Sequence, residues 1–234
     1  KANETRPEIE QIFFENSKNL NEEEFEKELF ILRRKIEKRI PSNSKNDFYI
    51  CSLSSKSIVY KGMFLAEQIV AFYPDLSHKE FTSNFAIFHQ RYSTNTFPTW
   101  SLAQPFRVLS HNGEINTLKG NKNWMAAHEP RMRHANFENN IEDLKPIIDS
   151  NASDSAALDA TIELLVRSNR SLPMAKLITI PEAFAHRRDF SKKLKDLYTY
   201  ANAVMESWDG PAAICGVHED WAIAGMDRNG LRPI

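Results

Sequence analysis

Three short polar stretches carry the residues with the most chemical content. They are HQRYSTNT at 89–96, SHNGEINT at 110–117 and NASDSAA at 151–157, and each begins where an apolar stretch gives out. Loops placed beyond ordered elements are where sites are commonly built. Arg91 offers a planar guanidinium fork that suits a carboxylate. Asn112 offers a side-chain amide donor. Gly113 offers a backbone N–H with no side chain to block approach. Asp154 offers an anion for an ammonium group. Together these groups describe a pocket for an α-amino acid set beside an oxyanion hole.

Each residue also has a plainer explanation. An Asn-Gly pair is most often a hairpin turn. An Arg after a strand is usually a surface or ion-pair residue, and an Asp at a helix start, as in SDSAALD, is usually a cap. Only convergence of the three loops would favour the chemical reading, and spacing alone does not establish it. The second Asn-Gly, Asn229-Gly230, is read as a turn with no oxyanion role.

The elements that must position these loops follow from periodicity. NEEEFEKELFILRRKIEKRI, 21–40, is a helix capped by Asn21 with Glu24 completing a capping-box spacing, and Phe25, Leu29, Leu32 and Ile36 form its apolar stripe. FYICSL and SIVYKG are expected as two strands around a turn at Ser54–Lys56, followed by a short helix ending at Pro74. Further strands are expected at 84–89 and in PFRVLSHNG. The middle of INTLKGNKNWMAAHEPRM reads as helix and ENNIEDLKP as loop. SDSAALDATIELLVRS is a helix capped by Ser153, with Leu158, Ile162, Leu165 and Val166 buried. SLPMAKLITIP and SKKLKDLYTYANAVMES are two more. GPAAICGVHEDWAIAGMDRNG reads as a hairpin turning at His218–Asp220, with a second turn at Asp227–Gly230. No βαβα alternation and no G-x-G-x-x-G occurs, so an α+β arrangement with antiparallel sheets is favoured over a parallel Rossmann sheet.

The totals exclude several classes. With 234 residues and 41% hydrophobic content there is material for a sizeable core. A formal net charge of −1 supplies no field toward nucleic acid or an anionic membrane, so the basic runs LRRKIEKR and AHRRDFSKKLKD are read as solvated helix faces. Cys51 and Cys215 are too few for a disulfide scaffold, which points to a reducing compartment such as the cytoplasm. No apolar run approaches a membrane span and the first residues lack a signal-peptide pattern. The seven histidines show no metal-ligand spacing, and no metal is expected.

HQRYSTNTFPTWSLAQPFRVLSHNGEINTLKGN resembles the glutaminase domain of glutamate synthase large subunits, which are class II glutamine amidotransferases. SDSAALDATIELL, ESWDGPAAI and DRNGLRP extend the similarity, as do FEKELFILRRKIEKRI and DFYICSLSSKSIVYKGM upstream. The resemblance covers nearly the whole chain, more weakly over the first 20 residues. RYST, AQPF and HNG are shared with amidophosphoribosyltransferases, whereas STNTFPTW, HNGEINTLKGN and WDGPA are particular to glutamate synthase. The resemblance implies an N-terminal-nucleophile fold, a four-layer αββα sandwich with antiparallel sheets. It implies hydrolysis of glutamine to glutamate and ammonia, with the ammonia passed to 2-oxoglutarate in a parent oxidoreductase acting on CH–NH2 donors. Asn112 and Gly113 match the oxyanion hole and Arg91 the residue that pairs with the glutamine α-carboxylate. Thr94 matches a substrate-contacting position, and Asp154 the residue that holds the substrate amino group. FMN and an iron–sulfur cluster are implied for the parent enzyme and none for this chain. The implied partners are the remaining synthase domains and a small reductase subunit or ferredoxin, with no nucleic acid and no membrane.

The family nucleophile is a cysteine at the mature N-terminus, whose α-amine acts as base. Here the first residue is Lys1, and both cysteines lie in apolar segments that read as core. Residues 1–234 are therefore expected to be the C-terminal larger part of a glutamine amidotransferase type-2 domain, inactive and poorly stable by itself. The alternatives are the glutaminase domain of another class II amidotransferase, such as amidophosphoribosyltransferase, and a non-catalytic class II-like domain that binds an amino acid.

Overall fold

A computed structural model describes residues 2–40, 48–90 and 97–234. The chain divides into two compact units, Lys1–Arg107 and Val108–Ile234. The ordered elements are α1 (Glu22–Arg39), α2 (Ile69–Phe72), β1 (Leu109–Gly113), α3 (Leu118–His128), α4 (Asp154–Arg167), α5 (Leu172–Thr179), α6 (Lys192–Val204), β2 (Ala212–His218) and β3 (Trp221–Met226), with short 3₁₀ turns between some of them.

In the first unit α1 begins as the sequence requires. Asn21 accepts the Glu24 N–H, and the Glu24 carboxylate reaches back to the Asn21 N–H. Of the expected stripe only Leu29 is fully buried, and Phe30, Ile31, Glu26 and Arg33 are buried beside it. The polar pair is buried because each is used. Glu26 accepts from the Ser54 hydroxyl and from the N–H and hydroxyl of Ser55, while Arg33 donates to Glu37 at 2.8 Å. Burial would raise the Glu37 carboxyl, but Arg33, Arg107 and Arg34 outweigh it and hold it below the usual carboxylate range.

FYICSL and SIVYKG do not form the expected strands. The serines of this stretch compete with a backbone ladder: Ser52 Oγ takes the Val59 N–H, and Ser54 Oγ takes those of Lys56 and Ser57. Residues 84–89 also lie outside any ladder, with Phe88 83% exposed. A strand without a paired neighbour gains no hydrogen bonds to hold it. Elsewhere in this unit Tyr60, Phe64, Phe72, Tyr73 and Trp100 make an edge-to-face aromatic cluster.

The second unit carries a three-stranded antiparallel sheet in the order β1-β2-β3. The register pairs Leu109 with Gly216 and Gly113 with Ala212, and on the other side Ala213 with Met226 and His218 with Trp221. The α+β, antiparallel character expected from the sequence is present. The described residues contain this one sheet. Helices α4 and α5 cover it, α4 against β1 and α5 against β2 and β3. Leu109, Leu158, Ile162, Leu172, Ile178, Trp208 and Ile214 form the core between them. Leu158, Ile162, Leu165 and Val166 of α4 are all buried, as the helical spacing required. Cys51 is half-buried, and Cys215, read as a core residue, is exposed. Its neighbours Ile214 and Gly216 face the core, and the strand alternation turns Cys215 to the opposite face.

Candidate functional site

The ladder bonds of β1 fall at even-numbered residues. Val217 N–H donates to Val108 O at 2.8 Å, and Glu114 N–H donates to Pro211 O at 2.9 Å. In an antiparallel pair the intervening residues then direct their N–H groups away from the partner strand. The N–H groups of Leu109, His111, Gly113 and Ile115 therefore point to the edge of the sheet opposite β2, where no further strand lies among the described residues.

Helix α4 serves that edge with carboxylates. Asp159, 1% exposed, accepts the N–H groups of Val108 and Leu109 at 2.9 and 3.1 Å. Asp154 accepts the Ile115 N–H at 3.0 Å. Between them the buried His111 ring lies 2.7 Å from the Ser155 hydroxyl and 4.0 Å from Asp154. A helix thus satisfies edge donors that a strand would otherwise pair.

Asp154 is free for this role because it is not the cap. Ser153 Oγ accepts the Ala156 N–H and caps α4, so Asp154 sits in the first turn, where a carboxylate also suits the helix dipole. Lys122 of α3 fixes the approach by donating to the carbonyls of Ser150 and Ala152 at 3.0 and 2.7 Å. Asp154 Oδ1 takes the Ser155 N–H at 2.7 Å and the Ser155 hydroxyl at 3.3 Å, while Oδ2 takes the Ile115 N–H and keeps a lone pair for a cation.

The strand end itself is clasped by the segment before β2. Asn116 N–H donates to Asp209 O at 2.8 Å, and Asp209 N–H donates to Thr117 Oγ1 at 2.9 Å. Asn121 donates its amide to Ser207 O at 3.1 Å. Gly113 and Gly210 face this clasp with φ of 149° each. A Cβ on Gly113 would collide with the Pro211 carbonyl oxygen, and one on Gly210 with the Glu114 carbonyl oxygen. The WDGPA segment is therefore half of the frame around SHNGEINT. The sequence signal was the glycine before the proline, but which backbone it must approach is visible only in three dimensions.

A second segment that sequence reasoning treated as a turn also reaches the site. Arg232 Nη2 donates to Asn112 Oδ1 at 2.8 Å. Asp227 holds the turn that delivers Arg232, accepting the N–H groups of Asn229, Leu231 and Arg232 at 3.0, 3.0 and 2.9 Å, together with that of Ala212 at 3.1 Å. Burial alone would raise this carboxyl, but the four backbone donors prevail and hold it at about 2. Asn229-Gly230 is a turn, as expected, with Gly230 at φ 65°.

Two neutral donors, Asn112 and Gly113, thus stand at the end of β1, with a carboxylate bonded two residues further along the same chain. Residues 1–234 match the family model of the class-II glutamine amidotransferases.

The chain belongs to that family. It is 57% identical over 234 residues to a glutamate synthase [NADPH] large chain of Azospirillum brasilense, all of this chain and 15% of that protein. It is 49% identical to a ferredoxin-dependent glutamate synthase of Pyropia yezoensis over 97% of this chain and 15% of that one. It is 44% identical to a glutamate synthase [NADH] of Saccharomyces cerevisiae over 97% of this chain and 10% of that one. The chain therefore spans about one-seventh or less of the length of these relatives.

Of the residues proposed from sequence for this amidotransferase, Asn112, Gly113 and Asp154 gather at one strand end. Arg91 and Thr94 lie outside the described residues. Among the described residues no group of three or more His, Cys, Asp or Glu side chains is arranged to hold a metal ion, and no helix is long and apolar enough to cross a membrane.

Proposed function

We propose that the end of β1 is a glutamine site and that the chain is the glutaminase portion of a glutamate synthase. The observation that carries this reading is the edge geometry of β1, which presents the Gly113 N–H and the Asn112 amide at the strand end that Asp154 also serves. A thiolate attacks the glutamine side-chain carbonyl carbon. The C–S bond forms, and the carbonyl electron pair moves to oxygen, where Asn112 and Gly113 donate to it. The tetrahedral species collapses, the C–N bond breaks, and the protonated nitrogen leaves as ammonia. Water then cleaves the thioester to give glutamate. Asp154 holds the substrate ammonium, Arg91 its carboxylate, and Thr94 contacts it.

The nucleophile in this scheme bears a free α-amine as its base. Cys51 and Cys215 are internal and cannot supply one. Burial also raises the Cys51 thiol, with Lys61 and Arg107 only partly offsetting it, which disfavours the thiolate. The 234-residue chain on its own is therefore inactive, and ammonia release from glutamine by the purified chain would refute this. Four-layer αββα packing is proposed for the complete domain on the strength of the family.

In the parent, FMN and an iron–sulfur cluster would supply the electrons needed to convert 2-oxoglutarate and ammonia to glutamate. The cluster would need several thiolates where this chain has two separated cysteines, so these residues do not fit it, and no step here passes through either group. Relatives named for NADPH, ferredoxin and NADH each match over 97% or more of this chain, which favours a parent whose partner, a reductase subunit or ferredoxin, is selected outside these residues. The cytoplasm, or a plastid in a photosynthetic eukaryote, suits this reading.

The test is glutamine hydrolysis by the full-length protein that carries this chain. Asn112→Ala is expected to lower kcat by about 100-fold or more. Asp154→Asn is expected mainly to raise KM for glutamine. Unchanged kcat in Asn112→Ala would remove the site assignment.

A further inference from the structure

An asparagine amide presents a donor on one side and an acceptor on the other, and an exposed side chain can exchange the two by rotation. An oxyanion hole needs the donor. If the amide is turned over, its carbonyl oxygen faces the developing negative charge and the interaction becomes repulsive. A neighbour that can only donate removes the ambiguity, and arginine is such a neighbour, since the guanidinium has five N–H groups and no acceptor.

Arg232 meets Asn112 in this way. Its Nη2 donates to Asn112 Oδ1 at 2.8 Å, and the Asn112 NH2 is thereby directed away from the guanidinium. Both side chains are exposed, so the bond depends on how well Arg232 is held in place. Its backbone is well held. Asp227 accepts the N–H groups of residues 229, 231 and 232, and Gly230 completes the turn with its N–H on Asp227 O at 3.2 Å. The neighbouring Arg228 anchors the same turn from outside. Its Nε donates to Pro181 O at 3.0 Å, and its carbonyl accepts the Ala183 N–H at 2.9 Å.

We propose that Arg232 is a positioning residue for glutamine hydrolysis, holding the Asn112 amide with its NH2 toward the oxyanion. Resting on the assignment of Asn112 as an oxyanion donor, this adds the group that makes the donor face the reaction. The second Asn-Gly turn of the chain then serves the first, from 117 residues further along the sequence (Asn229 against Asn112).

The test uses the full-length protein and steady-state hydrolysis of glutamine. Arg232→Lys keeps a donor and is expected to retain kcat within about threefold. Arg232→Met removes the donor and keeps the stem, with kcat falling about 10- to 100-fold and KM changing little, because the loss is felt in the transition state. Arg232→Glu offers only acceptors, turns the amide over, and is expected to be worse than Met. It also serves as the second variant should Arg232→Met fail to fold. In an Asn112→Ala background the Arg232 substitutions are expected to add almost nothing, since there is no amide left to orient. An order of Lys, Met and Glu without effect on kcat, or losses that simply multiply with Asn112→Ala, would overturn the proposal. If Asn112→Ala is impaired and Arg232→Met is not, only this inference fails. If Asn112→Ala is fully active, the oxyanion assignment fails first.

Discussion

The Asp227 carboxylate and the Arg232 backbone N–H are joined at 2.9 Å, and that bond is one of four by which a single side chain ends β3 and starts the C-terminal turn. One of the four, from Ala212, continues the β2–β3 ladder one step past Met226, so the carboxylate replaces a strand residue. The whole arrangement depends on Asp227 being ionised.

This sets a pH dependence. Asp227 has a folded-state value of about 2 against an ordinary 3.8. A depressed carboxyl contributes stability that is fully present above its unfolded value and lost as pH falls toward the folded one. Asp227 therefore stabilises by on the order of 2 kcal/mol at neutral pH. The contribution fades between pH 3.8 and about 2. Asp227→Asn should be destabilised at pH 7 and should show a flatter stability profile below pH 4, measured by urea unfolding of the full-length protein. Equal slopes for the two proteins in that window would contradict this account.

The two glycines of the clasp give a steric prediction. Gly113 and Gly210 each have φ of 149°, a region that side chains rarely enter, and each would drive a Cβ into a carbonyl oxygen of the other segment. Gly113→Ala and Gly210→Ala are each expected to cost more than about 2 kcal/mol. Gly120, in α3 with open space around its Cβ position, is the control. Gly120→Ala should be neutral or stabilising by a few tenths to about 1 kcal/mol. Thermal unfolding of the three variants separates the cases, and tolerance of alanine at 113 would mean the clasp is looser than described.

These positions also show what a sequence can disclose. Asn21, Ser153 and the α4 core residues were legible because caps and helical periodicity are local rules. Asn112 and Asp154 were legible as types, since an amide, a glycine N–H and a carboxylate name their own chemistry. The placing of Asp154 beside the end of β1 was not, because it depends on the register of β1 and on α4 lying along its edge. Arg232 was invisible for the same reason: nothing in DRNGLRP says which side chain its second arginine will touch. The strands expected at 48–62 failed because serine hydroxyls and Glu26 satisfy backbone donors that a ladder would have used, and alternation cannot report such competition.

The edge of β1 makes Asp159 a stability determinant. Its Oδ1 accepts two backbone N–H groups in a site 1% exposed. Asp159→Ala would strand both donors away from water at roughly 1–3 kcal/mol each. Asp159→Asn keeps a carbonyl acceptor and should be markedly milder. Denaturant midpoints are expected in the order Asp, Asn, Ala, and an alanine variant as stable as the asparagine one would show that those N–H groups find other partners.

Lys122 separates placing the substrate from stabilising the transition state. Its ammonium holds the carbonyls of Ser150 and Ala152, the last residues before the Ser153 cap, and so fixes the approach to Asp154. Asp154 is assigned to the substrate ammonium, which is equally charged in ground state and transition state. Loosening it should therefore weaken binding uniformly. Lys122→Met is expected to raise KM for glutamine about 3- to 10-fold with kcat held within about twofold, which is the opposite split from Arg232→Met. The two variants measured side by side in the full-length protein test the division of labour at this strand end. A fall in kcat with unchanged KM for Lys122→Met would move Asp154 from the ammonium of the substrate to the reacting centre.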